Sequence, residues 1–227
     1  MSLASNSVDN YRRTNPVMMF FASFVSACII GSSVGLFTVS FVRLVSNAEF
    51  WRVSGRLDLE AASFLLFGYQ TVLLCAGMGV LILIRRLFKI QRWHGPADII
   101  HAAHTDISLL SFKTGAATIV SVFISVVAGG SVGIYGPLVH VGGYLARVFH
   151  SLFRTNILSQ DMIIGCGVAA AISAGFNAPI AGMIFAHEVV LRHFSMRALA
   201  PISIASISSF AVSSWFFEDV RWLRLDI

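Results

Sequence analysis

The chain has 227 residues, 56% of them hydrophobic and only 12% charged, with a mean hydropathy of +0.80 and a formal net charge of +5. Soluble domains carry about a quarter charged residues, so the composition excludes an ordinary water-soluble domain and makes lipid and neighbouring helices the main solvent. Nor is the positive charge a nucleic-acid signature, because the basic residues, nearly all Arg, stand at the ends of apolar runs, where they anchor and orient membrane spans.

Five stretches lack Asp, Glu, Lys and Arg: Thr14–Val42, Ala61–Ile84, Thr114–Ala146, Met162–His187 and Ala198–Phe217. A helix needs about 20 apolar residues to cross the hydrocarbon core, so at least five membrane segments are expected. Residues 1–16 are polar and read as a cytoplasmic N-terminal segment. A first span follows over Val17–Val45, about 43 Å of helix, long enough to require tilt. Its Gly31-Ser32-Ser33-Val34-Gly35 has a small-xxx-small spacing that permits close helix approach. Ser46–Glu60 carries mixed charge and reads as a loop with Phe50 and Trp51 at the interface. The second span is Ala61–Ile84, closed by Arg85, Arg86, Lys89 and Arg92, whose charge favours a cytoplasmic position for that segment. Pro96 opens a short helix to Ala103. The long run from Thr114 splits at the glycines of 129–136, with one helix ending near Val127 and another running from Pro137 to Phe149. Arg154–Gln160 is a loop. A helix over Asp161–Ala174 breaks at Gly175-Phe176-Asn177-Ala178-Pro179 and resumes through Val190. The last span is Ala198–Phe217. Cys28, Cys75 and Cys166 lie inside apolar runs and read as small packing residues.

Three of these helix starts share one device. His94-Gly95-Pro96, Gly133-Ile134-Tyr135-Gly136-Pro137 and Phe176-Asn177-Ala178-Pro179 each place proline just inside a helix. Irregular backbone at membrane depth persists only where it is buried in protein or lines a cavity. A helix N-terminus there exposes unpaired N–H groups and a partial positive charge. Several converging starts make an anion site without a fixed cation, one that binds weakly enough to release its ion. The bland alternative is three kinks with no ligand.

The residues at two of these breaks resemble a known family. Gly133-Ile134-Tyr135-Gly136-Pro137-Leu138-Val139-His140-Val141-Gly142-Gly143 resembles the CLC motif Gly-Lys/Arg-Glu-Gly-Pro, which is followed by an apolar stretch and Gly-Gly or Gly-Ala. Ala174-Gly175-Phe176-Asn177-Ala178-Pro179-Ile180-Ala181-Gly182-Met183-Ile184-Phe185-Ala186-His187-Glu188 resembles the CLC segment Ala-Ala-Phe-Asn-Ala-Pro-Leu-Ala-Gly, an apolar pair, Phe and Glu. The resemblance implies an all-α polytopic membrane fold with tilted and broken or re-entrant helices, one half of an inverted-repeat core spanning residues 17–227. It also implies chloride or a similar small anion as substrate, membrane lipid as surroundings, and a bacterial-type inner or plasma membrane location. A homodimer with one pore per subunit is expected, its face formed by the helices around Ile180–Leu191 and Leu199–Phe216. The second half of the same core is a further expected partner. No enzyme activity, cofactor, metal or nucleic-acid partner is implied.

Departures from the family pattern sharpen the expectation. Tyr135 stands where the family usually has a gating glutamate, and Ile134 where it has a basic residue. Val189 stands where proton-coupled members carry a further glutamate, with Glu188 just before it. The family's Gly-Ser-Gly-Ile-Pro is reduced to Trp93-His94-Gly95-Pro96, so His94 or Trp93 takes the place of its serine. The expected pore residues are therefore Gly133, Ile134, Tyr135, Gly136, Pro137, His94, Gly95 and Pro96, with Tyr135 the gate candidate. Passive, channel-like conduction is expected ahead of proton-coupled antiport with unusual residues. His94, Asp98 and His101 lie at i, i+4 and i+7, with His104 three further on. That spacing leaves open a membrane metal or haem protein, against an ordinary polar helix face. His140 and His187 read as buried, hydrogen-bonded residues.

Overall fold

The structure, a computed structural model, describes residues 16–57, 63–130, 133, 135–153 and 158–216. Among the described residues the architecture is all helical. The helices are α1 (Pro16–Leu57), α2 (Ser63–Leu87), α3 (Pro96–His104), α4 (Phe112–Val127), α5 (Tyr135–Phe153), α6 (Gln160–Phe176), α7 (Pro179–Phe185) and α8 (Met196–Phe216). A 3-10 turn, Ile107–Leu109, links α3 to α4, and α7 passes directly into a π-helical turn, Ala186–Leu191. Among the described residues three stretches are long and apolar enough to cross a membrane: Met18–Ala48, Gly68–Leu87 and Met196–Phe216. The other two charge-free runs are built from shorter helices, α4 with α5 and α6 with α7, so the expected breaks are present.

One expected loop is helix. α1 continues without interruption to Leu57, across most of the mixed-charge stretch read as a turn. Glu, Arg and Ala are good helix formers. The charges mark where the chain leaves the apolar layer, not where the helix ends. At 42 residues the helix is about 63 Å long, twice the hydrocarbon thickness. The expected segments at residues 1–15, 58–62 and 154–157 lie outside the described residues.

α6 is the centre of the molecule. Every residue from Ile163 to Ala174 is buried, so the helix has no polar face, as a helix walled on all sides requires. Its small residues let neighbours approach to backbone contact. Gly142 of α5 and Gly167 of α6 meet so closely that a Cβ on either would strike the other's carbonyl oxygen. On the far side α8 crosses α1, where Gly31 lies against Ala205 and a Cβ on Gly35 would stand 2.6 Å from Ser209 Oγ. The small-xxx-small pair thus packs helix on helix. Hydrogen bonds lock α6 to α8. Ser209 Oγ donates to the Ala170 carbonyl at 2.7 Å, and Ser173 Oγ donates to the Ser206 carbonyl at 2.7 Å. α2, by contrast, is largely exposed, with Val72, Met78, Leu83 and Leu87 turned outward, as a lipid-facing or partner-facing span would be.

Candidate anion site

α6 ends where Asn177 adopts a left-handed conformation (φ 55°, ψ 35°), a C-terminal stop that Asn tolerates well. Ala178 N–H then closes back on the Ser173 carbonyl at 3.2 Å, and Pro179 opens α7. Ser206 Oγ of α8 donates to the Pro179 carbonyl at 2.7 Å and holds this start in place. At the second break, Gly129 (φ 93°) and Gly133 (φ 73°) take backbone angles that side chains oppose, and α5 begins at Tyr135. At the third, Gly95 precedes Pro96 and α3.

The three starts meet. Pro96 of α3, Gly136 and Val139 of α5, Ile172 and Phe176 of α6, and Ala178, Ala181 and Phe185 at and after the α7 start line one open cavity of about 590 Å³. A Cβ on Gly136 would stand 3.8 Å from Pro96 Cγ, so α3 and α5 touch at this point. Among the described residues no charged side chain lines the cavity. Whatever binds there meets helix N-termini and apolar walls.

The start of α3 carries its own carboxylate, Asp98, whose place is at the helix start and not in a metal-binding face. Asp98 Oδ2 accepts from the Gly95 N–H at 2.7 Å, and Asp98 Oδ1 accepts from Arg92 at 2.8 Å. The side chain thus caps the helix and opposes the partial charge that an incoming anion would use. Arg92 offsets it. A polar residue three positions into a helix after a Gly-Pro start was the available signal, but the spacing drew attention to metal ligation instead. Among the described residues no group of three or more His, Cys, Asp or Glu is placed to hold a metal. Asp98 is engaged at the α3 start, while His101 and His104 are exposed and line a separate opening with Ala97, Ile100 and Arg192.

Of the expected pore residues, Pro96 and Gly136 line the cavity, and Gly95 and Pro137 are their chain neighbours. His94 is half-buried beside them, with an Nδ1 that is buried and unpartnered. Gly133 is exposed at the turn. Ile134 lies outside the described residues, and Tyr135 is described only as the first residue of α5. Both histidines are buried, as expected, and the expected hydrogen bonding is incomplete at each, His187 Nε2 being without a partner. His187 Nδ1 lies 3.0 Å from the Met183 carbonyl and its ring stacks on Phe194 at 4.9 Å. Neither His140 ring nitrogen makes a hydrogen bond of good geometry, although the Gly115 and Gly95 backbones lie beside the ring. Glu188 is exposed on the π turn and Val189 half-buried.

Residues 72–225 match the family model described as voltage gated chloride channel. The chain belongs to that family. A ClcB-like protein of Ralstonia nicotianae is 25% identical over 198 residues, covering 84% of this chain and 46% of the relative. The voltage-gated ClC-type chloride channel ClcB of Shigella flexneri is 27% identical over 177 residues, covering 77% of this chain and 38% of the relative. A crystal structure of a CLC-type fluoride/proton antiporter superposes with a TM-score of 0.71 at 20% identity, over 90% of this chain and 49% of that one. The chain therefore has the CLC fold and spans less than half the length of these curated relatives. The apolar helices and the family together make it an integral membrane protein.

Proposed function

We propose that this chain supplies one half of an anion pathway, with chloride its substrate, and that the pathway conducts rather than exchanging chloride for protons. The observation that carries this reading is the cavity where three proline-led helix starts meet with no charged side chain among its lining residues. Backbone donors attract an anion without holding it, which conduction requires. Tyr135 is the gate and Gly133, Ile134, Gly136, Pro137, His94, Gly95 and Pro96 border the path. A phenol at Tyr135 is neutral at pH 7 and Val189 cannot carry a proton, so the two positions at which the family resemblance expects protonatable carboxylates are without them. In this reading residues 1–16 are a cytoplasmic segment, residues 17–227 form the transmembrane half-domain, and the Arg85–Arg92 stretch faces the cytoplasm. Two copies form a homodimer with separate pathways. The exposed Ile180, Ile184, Ile207 and Trp215 supply apolar area for that face.

Titration of sodium chloride into the purified chain tests the site. Saturable heat with a Kd of about 1 mM or weaker, a binding free energy near −4 kcal/mol, is the expected outcome, with sodium gluconate giving none. Absence of saturable heat for chloride, bromide and fluoride would remove the site. A second reading, fluoride/proton antiport, draws on the description of the structural neighbour. Uphill proton movement driven by an anion gradient, at fixed stoichiometry, would favour it over conduction.

A further inference from the structure

α1 and α8 run side by side in the same direction, Gly31 against Ala205 and Gly35 against Ser209. Their membrane-crossing stretches begin together, at Met18 and Met196, so both spans start at one boundary between lipid and water. The start of α6 joins them there, and the three helices enclose an open cavity of about 700 Å³, a volume typical of ligand pockets. Its walls are apolar and adaptable. Met19, Phe20 and Phe24 come from α1, Met162 from α6, and Met196 and Ile204 from α8. Unbranched thioether side chains mould themselves to irregular apolar guests. Phe20, Phe24 and Met196 remain exposed. Ile204 precedes Ala205, so the slot ends where the two helices close on each other. Charge of one sign lines the same cavity. Arg197 belongs to it, and among the described residues this side chain forms neither an ion pair nor a hydrogen bond, the ion pair there being Arg92 with Asp98. Ser159, just before α6, lines it too, and its hydroxyl does not cap the helix. The first N–H groups of α6 and α8 add partial positive charge.

We propose that this cavity is a binding site for one anionic glycerophospholipid, its phosphate held by Arg197 and Ser159 and an acyl chain laid between α1 and α8 along Phe20, Phe24 and Ile204. An arginine without a counter-charge beside methionine and phenylalanine complements both parts of such a molecule. Basic pockets between membrane helices take anionic headgroups in this way. A guanidinium also presents a planar fork that matches phosphate oxygens. A zwitterionic lipid fits the same walls and differs only at its headgroup, where a second cation meets Arg197. The site is separate from the anion cavity and does not rest on it. From Ser159 to Phe176 α6 rises about 25 Å, and no residue lines both cavities.

The test is native mass spectrometry of the purified 227-residue chain in detergent, titrated with palmitoyl-oleoyl phosphatidylglycerol and separately with the phosphatidylcholine of the same chains. One phosphatidylglycerol should be retained per chain, and phosphatidylcholine should bind about tenfold more weakly, the size of one hydrogen bond to a charged group. Arg197→Gln should lower phosphatidylglycerol affinity to the phosphatidylcholine level. Arg192→Gln removes the same charge from an exposed position on a different opening and should leave that affinity unchanged. Ala200→Trp, at an exposed position of α8 that lines the cavity, should fill it and exclude both lipids. Equal affinity of the wild-type chain for the two lipids, a measurement independent of any variant's folding, overturns the inference. So does an equal loss in Arg192→Gln, which would make the attraction a general surface charge, or retention of the lipid in Ala200→Trp. Displacement of the lipid by inorganic phosphate would make this an ion site and overturn it as well. Absence of any retained lipid would mean that the cavity is filled by other residues of the chain or by a second copy, and also overturns it.

Discussion

Tyr135 opens α5 directly after the Gly133 turn, one position before a glycine that lines the cavity. In the proposed pathway a ring at that position is a plug by bulk, since it cannot act as a charged one: an unperturbed tyrosine titrates near pH 10. In a conducting assembly Tyr135→Ala should raise chloride flux, while Tyr135→Phe should leave it nearly unchanged. If the hydroxyl is instead a ligand, Tyr135→Phe weakens anion binding by about 1 kcal/mol. Flux unaltered by both substitutions would take Tyr135 out of the path. The phenol adds no pH dependence between about pH 5 and 8, so any found there belongs to another group. Glycine acts at this scale through absence. Gly142 and Gly167 face each other across the α5–α6 crossing, and the atom a new side chain would meet on each is a backbone carbonyl oxygen that cannot rotate away. Gly142→Val should therefore cost about 1–3 kcal/mol or more by overpacking. Thermal denaturation in detergent would show it as a lowered midpoint.

The helices were legible where apolar runs and proline-led starts coincide, because both signals are local. Pro96, Asn177-Ala178-Pro179 and the glycines of 129–136 each mark a break that the structure contains. The end of α1 was not legible, since Glu49 and Arg52 suit a helix as well as a loop and only the surroundings decide. The convergence of the three starts in one cavity follows from tertiary packing, although the shared Gly-Pro or Ala-Pro device hinted at it. The serines of α8 left even less trace. In the sequence nothing sets them apart within the last span, yet Ser206 donates to the Pro179 carbonyl and accepts from Ser173 through its own carbonyl oxygen, tying α6, α7 and α8 at the cavity's edge. Membrane hydrogen bonds of this kind contribute about 0.6–1.7 kcal/mol. Ser206→Ala should accordingly destabilise the chain by about 1 kcal/mol and weaken chloride heat at the cavity, because the α7 start loses its tether. Unchanged stability together with unchanged anion affinity would show that the tether is redundant.

At the scale of the whole molecule, the cavity is bordered by one set of helix starts. The resemblance to an inverted-repeat core implies a second set facing the first. The chain covers 46% and 38% of the two curated relatives and 49% of the structural neighbour, so in each case the aligned part leaves half or more of the other protein unmatched. An anion resting against α3, α5 and α7 would be donated to from one side only, and the opposite wall would be lipid or water. Lipid there excludes the ion, because no polar group replaces its hydration. Water there leaves a surface site and no enclosed path. The 227-residue chain reconstituted alone in chloride-loaded liposomes is therefore expected to give little or no chloride efflux, even though it binds chloride in detergent. Efflux well above that of empty liposomes would mean that one half suffices or that two chains pair as inverted halves of one pore. Cross-linking decides between those, because inverted pairing would bring Gly136 of one copy, substituted by cysteine, within reach of Gly136 of the other through a short thiol-to-thiol cross-linker spanning the shared cavity, whereas separate pathways would keep the two apart.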